Sequence, residues 1–426
     1  MSKPQPQPQP RLVRAVVGSI ILAMYLLFVR QGLLLRTLLV TSVADHPETN
    51  APDFGWFNVL RFKLIYLGRY LLRRQTLWKG WFGRVEASTV RRLESQNAPR
   101  NVSAPIAEVQ AEGLDPERFY QDYVLKGRPV VVRGGTRALP AFQKWSLPFF
   151  ERYAGDHVWI ADRDTGTHNY GPLGEVLSAP KRGRRLYLYA STDLLRDHPE
   201  LVSDLDVERF RPMLSRTPIG HVGSQLFLGT DRGSGSGWHC AAGSNMFLMV
   251  RGRKRWRFVH PDQTWTLYPL MQTTAQNMLT PLTLLQGQTL PPQWVAEHVP
   301  LFAYSRQSEV VLEPGDALFN PAWTWHTVEN LTDETVAVAS RWVPPVVVSY
   351  SRFAEFAMLF SHAVWRRRFQ ALRNGRLALS DDDMRGHAQD MDHRVDFGRP
   401  GAHDRLLEHY GIRELVCAQQ GSAVLD

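Results

Sequence analysis

At 426 residues, with 44% apolar and 21% charged side chains, the chain is long enough for several domains or one large domain with extensions, and too apolar for wholesale disorder. Two cysteines, Cys240 and Cys417, exclude a disulfide framework and a thiolate zinc site. The net charge of +9 is uneven: residues 1–100 carry 15 Lys/Arg against 5 Asp/Glu and the remainder 35 against 36, which points the N-terminal quarter at an anionic surface.

Residues 1–14 hold a Pro/Gln tail of low complexity that cannot build a core. The run AVVGSIILAMYLLFV, Ala15–Val29, is uninterrupted and apolar but only 15 residues long, with Arg14 and Arg30 at its ends. A spanning helix usually needs about 20 apolar residues, and snorkelling arginines can stretch a shorter one. Apolar character resumes in RQGLLLRTLLV and no small-residue cleavage site follows at once. Residues 15–43 are therefore expected to form a single-pass membrane anchor, against the alternatives of a cleaved signal and a buried or interfacial helix. Arginines on both sides leave its orientation, and hence the compartment, open.

The segment 54–98 interleaves Trp56, Phe57, Trp78, Trp81 and Phe82 with Arg61, Lys63, Arg69, Arg73, Arg74 and Lys79. Leu60, Leu64, Leu67 and Leu71 share one helical face, so the segment reads as a basic amphipathic helix lying on an anionic membrane. Its alternative is a helix packed on the domain that follows. No nucleic-acid motif accompanies the basic aromatics, and no nucleic-acid partner is expected. Two sequons, at Asn101 and Asn330, matter only if the domain is extracytoplasmic.

From Ile106 the texture changes. LDPERFYQDYVLKGRPVVVRGG predicts a short helix, a buried strand and a turn. HVWIAD, RRLYLYA, SQLFLG, NMFLMV, KRWRFVH, SEVVLEPGD, ALFNP and TVAVASRWV follow as short β-branched or aromatic runs separated by turn residues. That spacing predicts a sandwich or barrel over 106–345. After Pro345 the pattern turns helical, so 346–426 is expected to be a helical segment whose apolar face packs on the barrel or on a second subunit as a homodimer contact.

Two histidines carry the chemistry. His239 lies in SGWHCAAGSN and His326 in NPAWTWHTVEN, each in a strand context. Neutral imidazole suits iron, copper, zinc or nickel, and two histidines with one carboxylate make the site of non-haem iron(II) oxygenases. Residues i and i+2 of a strand share a face, so the carboxylate would be sought two residues after His239. That residue is Ala241. Cys240 points to the opposite face.

The stretches LDPERFYQDYVLKGRPVVVRG, LFLGTDRGSGSGWHCAAGSNMFLMVRGRKRWRFVHP and VVLEPGDALFNPAWTWHTVENL resemble the JmjC/cupin-like family of double-stranded β-helix proteins. The resemblance covers rather over half the chain. It implies a mainly β fold, a jelly-roll or cupin barrel with flanking helices, and members that are mostly Fe(II)- and 2-oxoglutarate-dependent oxygenases. Carried over residue by residue, His239 and His326 match the metal-binding histidines, and Lys254 the lysine that grips the distal carboxylate of 2-oxoglutarate. Ser236 and Asn245 match positions that place polar groups near the cosubstrate or metal. Gly315 and Pro321 resemble the turns that bring the second histidine into the barrel.

Ala241 departs from the family, because a methyl group cannot ligate a metal. Three accounts follow. Iron binds through two histidines with water, chloride or another carboxylate in the remaining position, as in related halogenases with Ala or Gly there. Alternatively the barrel has lost catalysis and serves as a binding or scaffold domain at a membrane. In the third account Asp231 reaches the metal. The expected function is a membrane-associated Fe(II)/2-oxoglutarate oxygenase, hydroxylating or halogenating a small-molecule, lipid or protein substrate.

Overall fold

The computed structural model describes Met24 and residues 53–345, except 73–74, 164–167, 218–219, 270–276, 281 and 283–291. The expected tail at 1–14, the anchor at 15–43 (Met24 apart), the helical segment at 346–426 and Cys417 lie outside the described residues.

Fifteen strands are present among the described residues. β1 (Ser103–Pro105), β2 (Ala107–Gln110) and β3 (Val130–Arg133) lead in, and β4 (His157–Asp162), β5 (His168–Pro172) and β6 (Leu186–Ser191) extend one sheet. The barrel itself is wound by β7 (His221–Gly229), β8 (Gly235–Ala241), β9 (Ser244–Arg251) and β10 (Lys254–Val259), and then, after β11 (Asn277–Leu279), by β12 (Gln307–Leu312), β13 (Ala317–Asn320), β14 (Trp325–Asn330) and β15 (Thr335–Trp342). One sheet has the order β1-β12-β10-β14-β8-β11 and the other β2-β3-β13-β9-β15-β7-β6-β4-β5. The chain passes repeatedly from sheet to sheet as it winds, which is the double-stranded β-helix.

Side-chain alternation sets the layers. Trp256, Phe258 and Val328 of the six-stranded sheet face Phe247, Met249, Ala337 and Ala339 of the nine-stranded sheet across the interior. The outer face of the larger sheet carries Leu248, Val250, Val336 and Val338, covered by short helices between residues 140 and 214 through Trp145, Phe150, Leu201 and Phe210. β9 and β15 are thus buried on both faces, which is why they read as unbroken apolar runs. The outer face of the smaller sheet holds Trp238, Cys240 and Trp325 in a third cluster, so Cys240 does point away from His239.

The amphipathic segment forms two helices, α1 (Trp56–Leu72) and α2 (Gln75–Ser95), packed on the barrel. Phe54, Phe62, Ile65, Tyr66, Phe82 and Val85 bury against Trp265, Leu301 and Tyr304, with Phe62 stacked on Trp265 at 6.3 Å. Leu64 of the leucine stripe stays 40% exposed. α1 is apolar on more than one side, and the aromatic side, which buries the larger area, is the one that docks. Lys63 does depart from the expected membrane-facing cations, because it is buried toward the barrel, where desolvation pushes its ammonium down to about 8 against the opposing influence of Asp262.

Candidate metal and dicarboxylate site

β8 and β14 are antiparallel neighbours, and their register sets His326 directly opposite His239. The ring centroids are 4.2 Å apart. His239 Nδ1 lies 2.8 Å from the carbonyl oxygen of Gly237, and His326 Nδ1 lies 2.8 Å from that of Thr324. A carbonyl only accepts, so each Nδ1 carries the proton and each Nε2 keeps its lone pair. Such an outer hydrogen bond is how a protein fixes an imidazole for metal binding. Trp256 stacks on His326 at 5.2 Å and 16°, which holds the ring plane.

Burial lowers the basicity of both rings. It depresses His239 to about 4, and it takes His326 well below the usual range with the help of the neighbouring His239. The Arg341 cation pushes both in the same direction. Both imidazoles are therefore neutral at pH 7, the form a metal requires.

The third ligand position is apolar. Ala241 pairs with Asn277, and its carbonyl accepts the Trp323 amide at 2.7 Å. Asp231 does not reach the histidines: its Oδ2 accepts from Arg163 Nη1 at 3.0 Å. Among the described residues no three His, Cys, Asp or Glu side chains cluster as a metal site. The account that moved Asp231 onto the metal is thereby corrected, since the arginine holds that carboxylate.

Lys254 is 0% exposed. Its Nζ donates to Asn330 Oδ1 and lies 3.4 Å from the Tyr187 hydroxyl, while Asn330 Nδ2 donates to Ser234 Oγ at 2.5 Å. These partners are neutral, and burial lowers the lysine to about 7. A buried cation held only by neutral dipoles is the environment an anionic ligand completes. The same contacts bury Asn330, so the second sequon is closed to modification in the folded protein.

Asn245 is buried on β9, and its side-chain oxygen has no partner. It pairs across the sheet with Asn320 on one side and Arg341 on the other. Asn320 Nδ2 lies 3.3 Å from His326 Nε2, so this row faces the histidines. Ser236 pairs with Val328, an interior residue, after a register slip that separates it from the histidine pair. Tyr187, Asn320, Asn330 and Arg341 are not among the residues the sequence singles out. The available signal was a lone polar residue within an otherwise apolar strand, as with the arginine of TVAVASRW.

Residues 116–345 match the family model described as a cupin-like domain. The chain belongs to that family. It is 30% identical over 132 residues to the HSPB1-associated protein 1 homolog of Danio rerio, covering 31% of this chain and 28% of that protein. It is 26% identical over 235 residues to lysine-specific demethylase 8 of Xenopus tropicalis, covering 53% and 50%. With lysine-specific demethylase JMJ21 of Arabidopsis thaliana the figures are 27% over 248 residues, 53% and 24%. The chain thus spans from about a quarter to half the length of these relatives. The JmjC-like kinship implied by the motif stretches holds, and with it an oxygenase-like family.

The residues present fit a metal held by two imidazoles. They do not fit one held by two imidazoles and a carboxylate.

Proposed function

We propose that this cupin-like protein is a membrane-associated Fe(II)- and 2-oxoglutarate-dependent oxygenase that offers iron two histidines and no carboxylate. The observation that carries the reading is the adjacent, neutral, Nδ1-protonated pair His239 and His326, with buried Lys254 in the same barrel. Bound there, iron and 2-oxoglutarate would supply oxidation of a C–H bond, by hydroxylation or, with chloride in the position Ala241 leaves open, by halogenation. The chain's own part is to present two adjacent neutral imidazoles, with Asn320 Nδ2 beside the Nε2 of His326, to grip the far carboxylate through Lys254, and to exclude water with Trp256 and Phe258.

Iron(II) added without oxygen, followed by 2-oxoglutarate, should produce a visible absorption band. His239→Ala and His326→Ala should abolish it, and chloride should shift it if a halide enters the ligand set. Ala241 favours a second reading, a binding module without catalysis. Dicarboxylate binding with no iron uptake would decide for that module.

A membrane surface is proposed as the place of action. Support comes from Trp56 and Phe57, exposed on the helix that docks through its other side. A hydrophobic or lipid-like substrate suits that location. Oxygen uptake stimulated by a lipid extract and not by peptides is the expected outcome, and the reverse would assign a protein substrate.

A further inference from the structure

Side chains two apart on a strand share a face, and Ala337 and Ala339 of β15 line the barrel interior. Arg341 therefore points inward as well. Its Nε donates to Gln225 Oε1 at 3.0 Å, and Gln225 pairs with Ala339 on the same inner surface. The sheet register sets Arg341, Asn245 and Asn320 in one row, and Asn320 touches His326. A cation and two amides thus stand opposite the histidines.

On the other sheet, Phe258 pairs with His326, and Lys254 is four residues earlier on the same strand. At about 3.4 Å per residue the two levels are about 13 Å apart at the backbone, and the long lysine side chain spans part of that gap. Among the described residues, no ion pair joins Lys254 or Arg341 to a carboxylate. Iron(II) on two neutral imidazoles would add positive charge to a barrel that already holds two cations. An anion bound between them would offset that charge.

We propose that Arg341 is the second pole of a dicarboxylate site: Lys254 takes one carboxylate at the base of the barrel, and Arg341, beside Asn245 and Asn320, takes the other next to the histidines. The anion then binds before any metal, and it supplies the negative charge that Ala241 withholds. This rests on the proposed role of Lys254, and it adds a residue on the opposite sheet together with an order of binding.

The test is calorimetric titration of the full chain, stripped of metal by a chelator, with glutarate, 2-oxoglutarate and butyrate. Both diacids should bind the metal-free protein, and butyrate should bind at least about tenfold more weakly, since one charged contact is lost. Arg341→Gln should weaken glutarate at least about tenfold and leave butyrate nearly unchanged, while Arg341→Lys, which keeps the charge, should restore part of the loss. Thermal melts of both variants establish that they fold. Wild-type glutarate affinity in Arg341→Gln overturns the proposal but leaves the grip of Lys254 standing if Lys254→Met still abolishes binding. Diacid binding that appears only after iron is added also overturns it, and leaves the oxygenase reading intact. No binding with or without iron overturns both.

Discussion

At the scale of single residues, the barrel keeps ionisable groups in the states their environment favours, and pH should expose this. The folded His239 protonates near 4, whereas an exposed histidine does so near 6.5. The unfolded chain therefore takes up protons in that window and the folded chain does not, so stability is fully present above 6.5 and falls as pH drops toward 4. His326 acts in the same direction. Melting of the metal-free protein is expected to shift to lower temperature between pH 7 and 5, and the double substitution of both histidines by Asn should flatten that slope. An unchanged slope would show that the rings are hydrated. Lys254 gives a separate window: it is depressed to about 7 from 10.5, so stability rises with pH between those values, and Lys254→Met should remove the rise.

At the scale of elements, one glycine shows how the turns set the register of the site. Gly252 joins β9 to β10 with φ of +71°, and an added Cβ would lie 1.9 Å from the Glu334 carbonyl oxygen. Gly252→Ala combines an unfavourable backbone with a clash against main chain, which should cost about 2–4 kcal/mol. Chemical denaturation measures it, and a loss under about 1 kcal/mol would mean that the turn can shift without strain. Because Lys254 starts β10 two residues on, dicarboxylate affinity should fall with stability. Such register effects mark where the sequence stops being readable. HVWIAD, NMFLMV and TVAVASRWV are legible as strands because β-branched and aromatic runs end at turn residues, and the structure places strands on each. The inward phase of Arg341 is not legible, since a strand buried on both faces shows no alternation. The helices between residues 174 and 214 have three to seven residues, too few for a periodic signal. Both histidines and Lys254 stand out through their flanking motifs, whereas Tyr187 and Asn330 become site residues only once the sheets are folded.

At the scale of the whole molecule, the N-terminal hairpin both packs on the barrel and presents an apolar surface. Removing it would uncover Trp265, Leu301 and Tyr304, so the barrel should be studied with α1 and α2 attached. Phe62→Ala tests the packed side and should cost about 3–5 kcal/mol, as expected for a buried aromatic. The outward side carries Phe57, Leu64 and Trp81, which are 57%, 40% and 45% exposed, with Trp56 beside them. Arg84 and Arg91 follow Trp81 at helical spacing and are exposed as well. Aromatics that insert and arginines worth about 1 kcal/mol each near acidic lipid would hold the barrel at a bilayer without a spanning segment. Among the described residues no helix is long and apolar enough to cross a membrane. A chain beginning at residue 44 keeps every residue of the hairpin core. It is expected to sediment with vesicles rich in phosphatidylglycerol, to bind phosphatidylcholine vesicles weakly, and to be released by salt. Changing Trp56, Phe57, Leu64 and Trp81 to Gln should abolish sedimentation and leave the melting temperature nearly unchanged, because these side chains are outside the core. If vesicle binding survives that change, the exposed face is not the contact, and attachment must come from the segment before residue 44.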